Sequence, residues 1–114
     1  MSLVLVADDE AAVLEVLSEV VEDLGHEVVR ARDGREALAM ARQRRPALVV
    51  TDHLMPLLSG VELCKLMRKD AELKDVPVIL LSAAPPKVPL DACSFLSKPF
   101  ELVDFEAMIR EMIG

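Results

Sequence analysis

Five polar side chains, at four separate points of the chain, could act together on a phosphoryl group: Asp8 with Asp9, Asp52, Ser82 and Lys98. A carboxylate can attack phosphorus as a nucleophile. Several carboxylates crowded together repel one another and need a cation. Oxygen-only ligation suits Mg²⁺, which keeps several waters and takes few protein carboxylates. Lys98 offers a point charge to an anion, and the Ser82 hydroxyl can bond the same anion. A nucleophilic carboxylate, a divalent ion, a lysine and a hydroxyl around one point can receive a phosphoryl group, with an acyl phosphate on Asp52 as product. None of these residues is specific alone. Asp8 and Asp9 could cap a helix, and Ser82 could be a turn hydroxyl.

The elements that must assemble them can be read from the apolar pattern. Residues 48–52 form a short apolar run rich in valine, as expected of a central parallel strand covered on both faces, and Asp52 lies at its exit. Pro56 and Gly60 then stop the strand and allow a helix beyond. Residues 3–7 are a similar run ending in Asp8-Asp9. Val13, Leu17, Val20, Val21 and Leu24 recur at helical spacing, and Gly25 supplies a stop. Residues 26–31 read as a more exposed strand opened by a surface His26. Asp33 is the expected cap of a second helix, which ends before Pro46. Ser59 caps a third, and residues 78–82 form a buried strand ending in Ser82. Residues 94–97 form the last strand, ending in Lys98-Pro99, and Phe105, Met108, Ile109 and Met112 mark a final amphipathic helix. This alternation predicts an α/β three-layer sandwich around a parallel sheet. Right-handed crossovers limit the topology, and ligands bind outside the carboxyl ends of such strands. Asp8, Asp9, Asp52, Ser82 and Lys98 all fall at those ends.

The chain has 114 residues, enough for one domain spanning 1–114. Thirteen Lys and Arg against 20 Asp and Glu give a formal charge of −7, which disfavours direct nucleic-acid binding. Cys64 and Cys93 lack CxxC spacing and secretory context, so buried reduced thiols in a cytoplasmic protein are expected. No apolar run reaches membrane-spanning length. His53, next to Asp52, belongs to a strand position pointing away, so a non-catalytic role is expected. Arg42, Arg44 and Arg45 are expected to favour a helix C-terminus electrostatically.

Along essentially its whole length the sequence resembles the receiver domain of bacterial two-component response regulators. The resemblance rests on Asp8-Asp9, on Asp52 followed by Met55-Pro56 and Gly60, on Ser82-Ala83, and on Lys98-Pro99-Phe100. It implies a flavodoxin-like, five-stranded sheet of order 2-1-3-4-5. It implies that Asp52 takes a phosphoryl group from a histidine kinase or histidine phosphotransfer protein, changing how the domain binds a downstream target or fused output domain. It further implies Mg²⁺ on Asp9, Asp52 and the Leu54 backbone carbonyl, with Asp8 acting through water. Ser82 becomes the switch hydroxyl, Phe95 the switch aromatic, and the Lys98–Pro99 bond cis. A homodimer on phosphorylation is compatible with the family. Self-phosphorylation and self-dephosphorylation are then the only reactions, without substrate turnover.

One stretch departs from the family. Only 15 residues, 83–97, separate Ser82 from Lys98, and they include Pro85, Pro86 and Pro89. Proline at that density excludes a regular helix interior, so the family's fourth helix is expected to be shortened or missing. Two other readings stand beside the switch. One is a Mg²⁺-dependent phosphatase of the haloacid dehalogenase type, whose D-x-D motif Asp8-Asp9-Glu10 does not match. The other is a degenerate receiver that never carries phosphate, against which the intact set of five residues argues. Whether the chain is a whole protein or part of a longer regulator is left open by the sequence.

Overall fold

A computed structural model of the chain describes residues 1–84 and 93–114. The elements run β1 (Leu3–Ala7), α1 (Ala11–Asp23), β2 (Glu27–Ala31), α2 (Gly34–Gln43), β3 (Leu48–Asp52), α3 (Gly60–Lys69), β4 (Val78–Ser82), β5 (Cys93–Ser97) and α4 (Leu102–Ile113). All neighbouring strands pair in parallel, in the order β2-β1-β3-β4-β5. The fold class and sheet order are those expected. The expectation of a shortened or missing helix falls on residues 85–92, outside the described residues.

Alternation along the strands divides the core into two layers. Val4 and Val6 of β1 and Val50 of β3 pack with Leu14, Leu17 and Val21 of α1 and Phe105 and Ile109 of α4. Leu5, Ala7 and Val49 point the other way, toward Ala37 and Leu38 of α2 and Leu63 and Met67 of α3. Successive side chains of a strand face opposite sides, so each apolar strand feeds both layers at once. The central strand β3 and its neighbour β4 are buried over all five residues.

Local signals set the helix starts on the second face. Asp33 Oδ1 accepts the Glu36 N–H at 2.8 Å, capping α2. Ser59 and Glu62 form a reciprocal capping box at the start of α3. Glycine is required at two close approaches. A Cβ on Gly34 would overlap the Leu58 backbone, and one on Gly60 would lie 2.5 Å from the Asp52 carbonyl oxygen.

Three expectations need correction. Cys64 and Cys93 are joined by a disulfide rather than left as separate thiols. They are 29 residues apart without a local motif, and only the packing of α3 on the sheet brings them together. His26 is half-buried, and its Nδ1 accepts the Ser2 N–H at 3.1 Å, so it ties the start of β1 to β2. The arginines at the end of α2 do more than complement a helix end. Arg42 pairs with Asp70 at 3.3 Å, Arg44 with Glu27 at 2.9 Å, and Arg45 donates to the Glu72 carbonyl at 2.6 Å.

Candidate functional site

The parallel sheet places the ends of β1, β3, β4 and β5 along one edge, and the five expected residues meet there. Asp8 follows β1 and is held by its own N–H, which donates to the Ala31 carbonyl of β2 at 3.1 Å. Its side chain is 1% exposed, whereas Asp9 faces solvent. Asp52 ends β3 and is 8% exposed. Carboxylate oxygens of Asp8, Asp9 and Asp52 lie within 4.8 Å of one another. Lys98 reaches them from beyond β5, with Nζ 2.7 Å from Asp52 Oδ1 and 4.0 Å from Asp8 Oδ2. Its backbone N–H donates to the Ser82 carbonyl at 2.8 Å, fixing the exit of β5 against that of β4. The Lys98–Pro99 peptide is cis, as the resemblance implied.

The helix-cap reading of Asp8 and Asp9 fails. Glu10 is the N-cap of α1, and no side chain caps that helix. Asp8 Oδ1 instead accepts the Glu10 N–H at 2.9 Å, while Asp8 Oδ2 is buried without a hydrogen-bond partner. A buried carboxylate oxygen with no donor, aimed among two other carboxylates, is an arrangement suited to a cation or its bound water.

The charges show the same imbalance. Burial pushes the Asp8 carboxyl above its ordinary range; the Glu10 N–H opposes this, and the charge of Asp52 adds to it. Burial alone would lower the Lys98 ammonium, but the hydrogen bond and charge of Asp52 outweigh it and raise the group. One lysine thus faces three carboxylates.

Ser82 is 7% exposed, and its hydroxyl is turned into its own loop. It donates to the Ala84 carbonyl at 2.7 Å and accepts the Ala84 N–H at 3.3 Å. This Ser82–Ala84 pairing is not legible in the sequence, because a hydroxyl bonding two residues ahead carries no side-chain signature. Phe95 lies in the middle of β5, half-buried and in register with Leu80. It is therefore beside the site rather than in it. Leu54 is 76% exposed in the loop after Asp52. That loop turns through Leu57, at φ 70°, and closes where the Gly60 N–H donates to the His53 carbonyl at 2.8 Å. His53 is not among the clustered carboxylates, and its Nδ1 is buried without a partner.

Over nearly its whole length the chain is similar to known proteins. The family model described as the response regulator receiver domain matches residues 4–110. A probable transcriptional regulator ycf27 of Porphyridium aerugineum is 36% identical over 116 residues, covering 96% of this chain and 47% of that protein. The chain thus spans about half the length of such relatives. The polar-differentiation response regulator DivK of Brucella anthropi is 32% identical, covering 97% of this chain and 95% of that protein. The chemotaxis protein CheY4 of Vibrio cholerae superposes with a TM-score of 0.89 at 29% identity, over 99% of both chains.

Proposed function

The chain belongs to the response regulator receiver family, and from that premise we propose that Asp52 is the phosphoryl acceptor of a signalling switch. The observation that carries this reading is the Asp52–Lys98 pair, 2.7 Å apart and flanked by Asp8 and Asp9 at the strand exits. The Asp52 carboxylate attacks phosphorus as the bond to the donor's imidazole nitrogen breaks, giving an acyl phosphate. Lys98 already sits at the attacking carboxylate, so it can follow the negative charge outward onto the new phosphoryl oxygens. For Ser82 to meet those oxygens, its hydroxyl must give up the Ala84 carbonyl it now bonds. That exchange draws the loop after β4 toward the site, and the space it vacates beside β5 is where Phe95 turns. The conformational signal thus begins as one hydrogen bond traded for another.

The donor set fits Mg²⁺: Asp9, Asp52 and the Leu54 carbonyl would hold the ion, with Asp8 acting through water. Bound there, it would neutralise the carboxylates and the incoming phosphoryl charge.

Receiver domains interact with histidine kinases and with output domains. For this chain we assign a histidine kinase or phosphotransfer protein as donor. The target is a downstream protein or an output domain in the same polypeptide, and the compartment is the cytoplasm. Turnover of other substrates is not part of this assignment, and self-dephosphorylation returns the switch. Among the described residues no helix is long and apolar enough to cross a membrane. Incubation with acetyl phosphate and Mg²⁺ tests the reading by intact mass. Wild type gains one phosphoryl group and Asp52→Asn gains none; equal gain in both would overturn it.

A further inference from the structure

We propose that Cys64 and Cys93 form a reversible thiol–disulfide pair that couples the oxidation state of the surroundings to the Asp52 switch. The inference rests on the switch function given above. One sulfur lies on a helix that leaves the phosphorylation edge, and the other at the start of a strand that runs toward it. Cys64 lies on the sheet-facing side of α3, which begins directly after the Asp52 loop, and it is 1% exposed. Cys93 is half-buried and opens β5, two residues before Phe95 and five before Lys98. In register terms, Cys93 pairs with Val78, Phe95 with Leu80, and Ser97 with Ser82. A covalent bond at Cys93 therefore fixes the amino-terminal end of the strand that carries Phe95 and leads to Lys98.

A second feature points to exchange chemistry at this pair. The Arg68 guanidinium lies 3.9 Å from Cys93 Sγ. It is anchored there by donating to the carbonyls of Lys74 at 2.8 Å and Val76 at 2.7 Å. A fixed cation beside a sulfur stabilises the anion through which thiol–disulfide exchange proceeds. Cys93, the more accessible sulfur, reacts first with a small disulfide such as oxidised glutathione. A mixed disulfide forms, and one glutathione thiolate leaves. The buried Cys64 thiol gives up its proton and attacks the Cys93 sulfur, closing the protein disulfide and releasing the second glutathione. Two protein thiols are oxidised, one small disulfide is reduced to two thiols, and the two protons end on those thiols. In a reducing compartment the pair rests as thiols, and the bond forms under oxidative challenge.

Phosphorylation needs the loop after β4 and Phe95 to move, whereas the disulfide restrains β5 at Cys93. The oxidised protein should then take the phosphorylated conformation less readily. Linkage requires the converse: the phosphorylated state should favour the dithiol by the same factor.

The test uses the whole chain in buffers of varied oxidised-to-reduced glutathione ratio. Thiols are counted by alkylation and intact mass, and beryllofluoride with Mg²⁺ serves as the phosphoryl mimic. Both thiols should disappear together without retained glutathione, reversibly. The oxidised form should bind beryllofluoride about fivefold more weakly than the reduced form, at the low end of ordinary coupling between sites. Cys93→Ser, at a half-exposed strand start, should bind like the reduced form under every buffer. Cys64→Ala serves as a second check. Persistence of two free thiols, or only a glutathione adduct on Cys93, would overturn the pair. Equal beryllofluoride affinity of oxidised and reduced protein would overturn the coupling. A reduced protein that fails to bind beryllofluoride would strike the switch function instead, while the thiol count still decides the pair.

Discussion

Asp8→Asn should stabilise the protein in the absence of divalent ions, although it alters a buried residue at the centre of the site. The Asp8 carboxylate is 1% exposed, and one of its oxygens has no donor. Asp52, within 4.8 Å, repels it, and Lys98 at 4.0 Å attracts it. At an effective dielectric of about 20 each effect is worth about 3–4 kcal/mol, so the two nearly cancel, and the exposed Asp9 charge adds a smaller, solvent-screened repulsion. What remains is the desolvated, unsatisfied oxygen, a cost of about 1–2 kcal/mol. Asparagine keeps an oxygen for the Glu10 N–H and turns an amide donor toward the other carboxylates. Urea or thermal unfolding at neutral pH with chelator should therefore favour the variant, by roughly 4 °C in melting temperature for each kcal/mol. The pH dependence fixes the sign. The folded-state carboxyl titrates above its ordinary range, so its destabilising cost is absent below that range and grows as pH rises through the folded value. Acidification should erase the variant's advantage, and so should added Mg²⁺, which stabilises the wild type. A variant less stable than wild type at neutral pH without metal would refute this account of the site.

Asp9→Ala should abolish saturable Mg²⁺ binding, followed by titration with NMR detection, and unchanged affinity would remove Asp9 from the metal site. Gly60→Ala should cost about 2 kcal/mol in urea unfolding, since its Cβ would lie 2.5 Å from the Asp52 carbonyl oxygen and 2.7 Å from Leu80 Cδ1. The same substitution should lower phosphorylation by displacing Asp52. Leu57→Gly should stabilise by about 0.5 kcal/mol in thermal unfolding, the relief of a left-handed φ of 70° exceeding the added chain entropy.

The fold is most legible in those residues to which a local rule applies. Apolar runs of three to five residues mark β1, β3 and β4, and Asp33 and Ser59 cap the helices they are expected to cap. The five site residues could be named because parallel strands put all their exits on one edge. Their contacts were less legible. The Ser82–Ala84 bond, the His26–Ser2 bond and the arginine pairs join groups by three-dimensional proximity, without any repeat in the sequence. The Cys64–Cys93 bond is illegible in the sequence for the same reason. Cys64 looked like one more apolar position of an amphipathic helix, and nothing near it announced Cys93.

The central claim is that the Asp52 side chain itself becomes the acyl phosphate. Borohydride cleaves an acyl phosphate by reducing the acyl carbon to an alcohol, which converts aspartate to homoserine at that position alone. The chain is treated with acetyl phosphate and Mg²⁺, reduced with borohydride, digested and sequenced by mass spectrometry. Homoserine at position 52, absent when phosphodonor is omitted, is the predicted result. Homoserine at position 8 or 9 with Asp52 intact, or no homoserine anywhere, would contradict it.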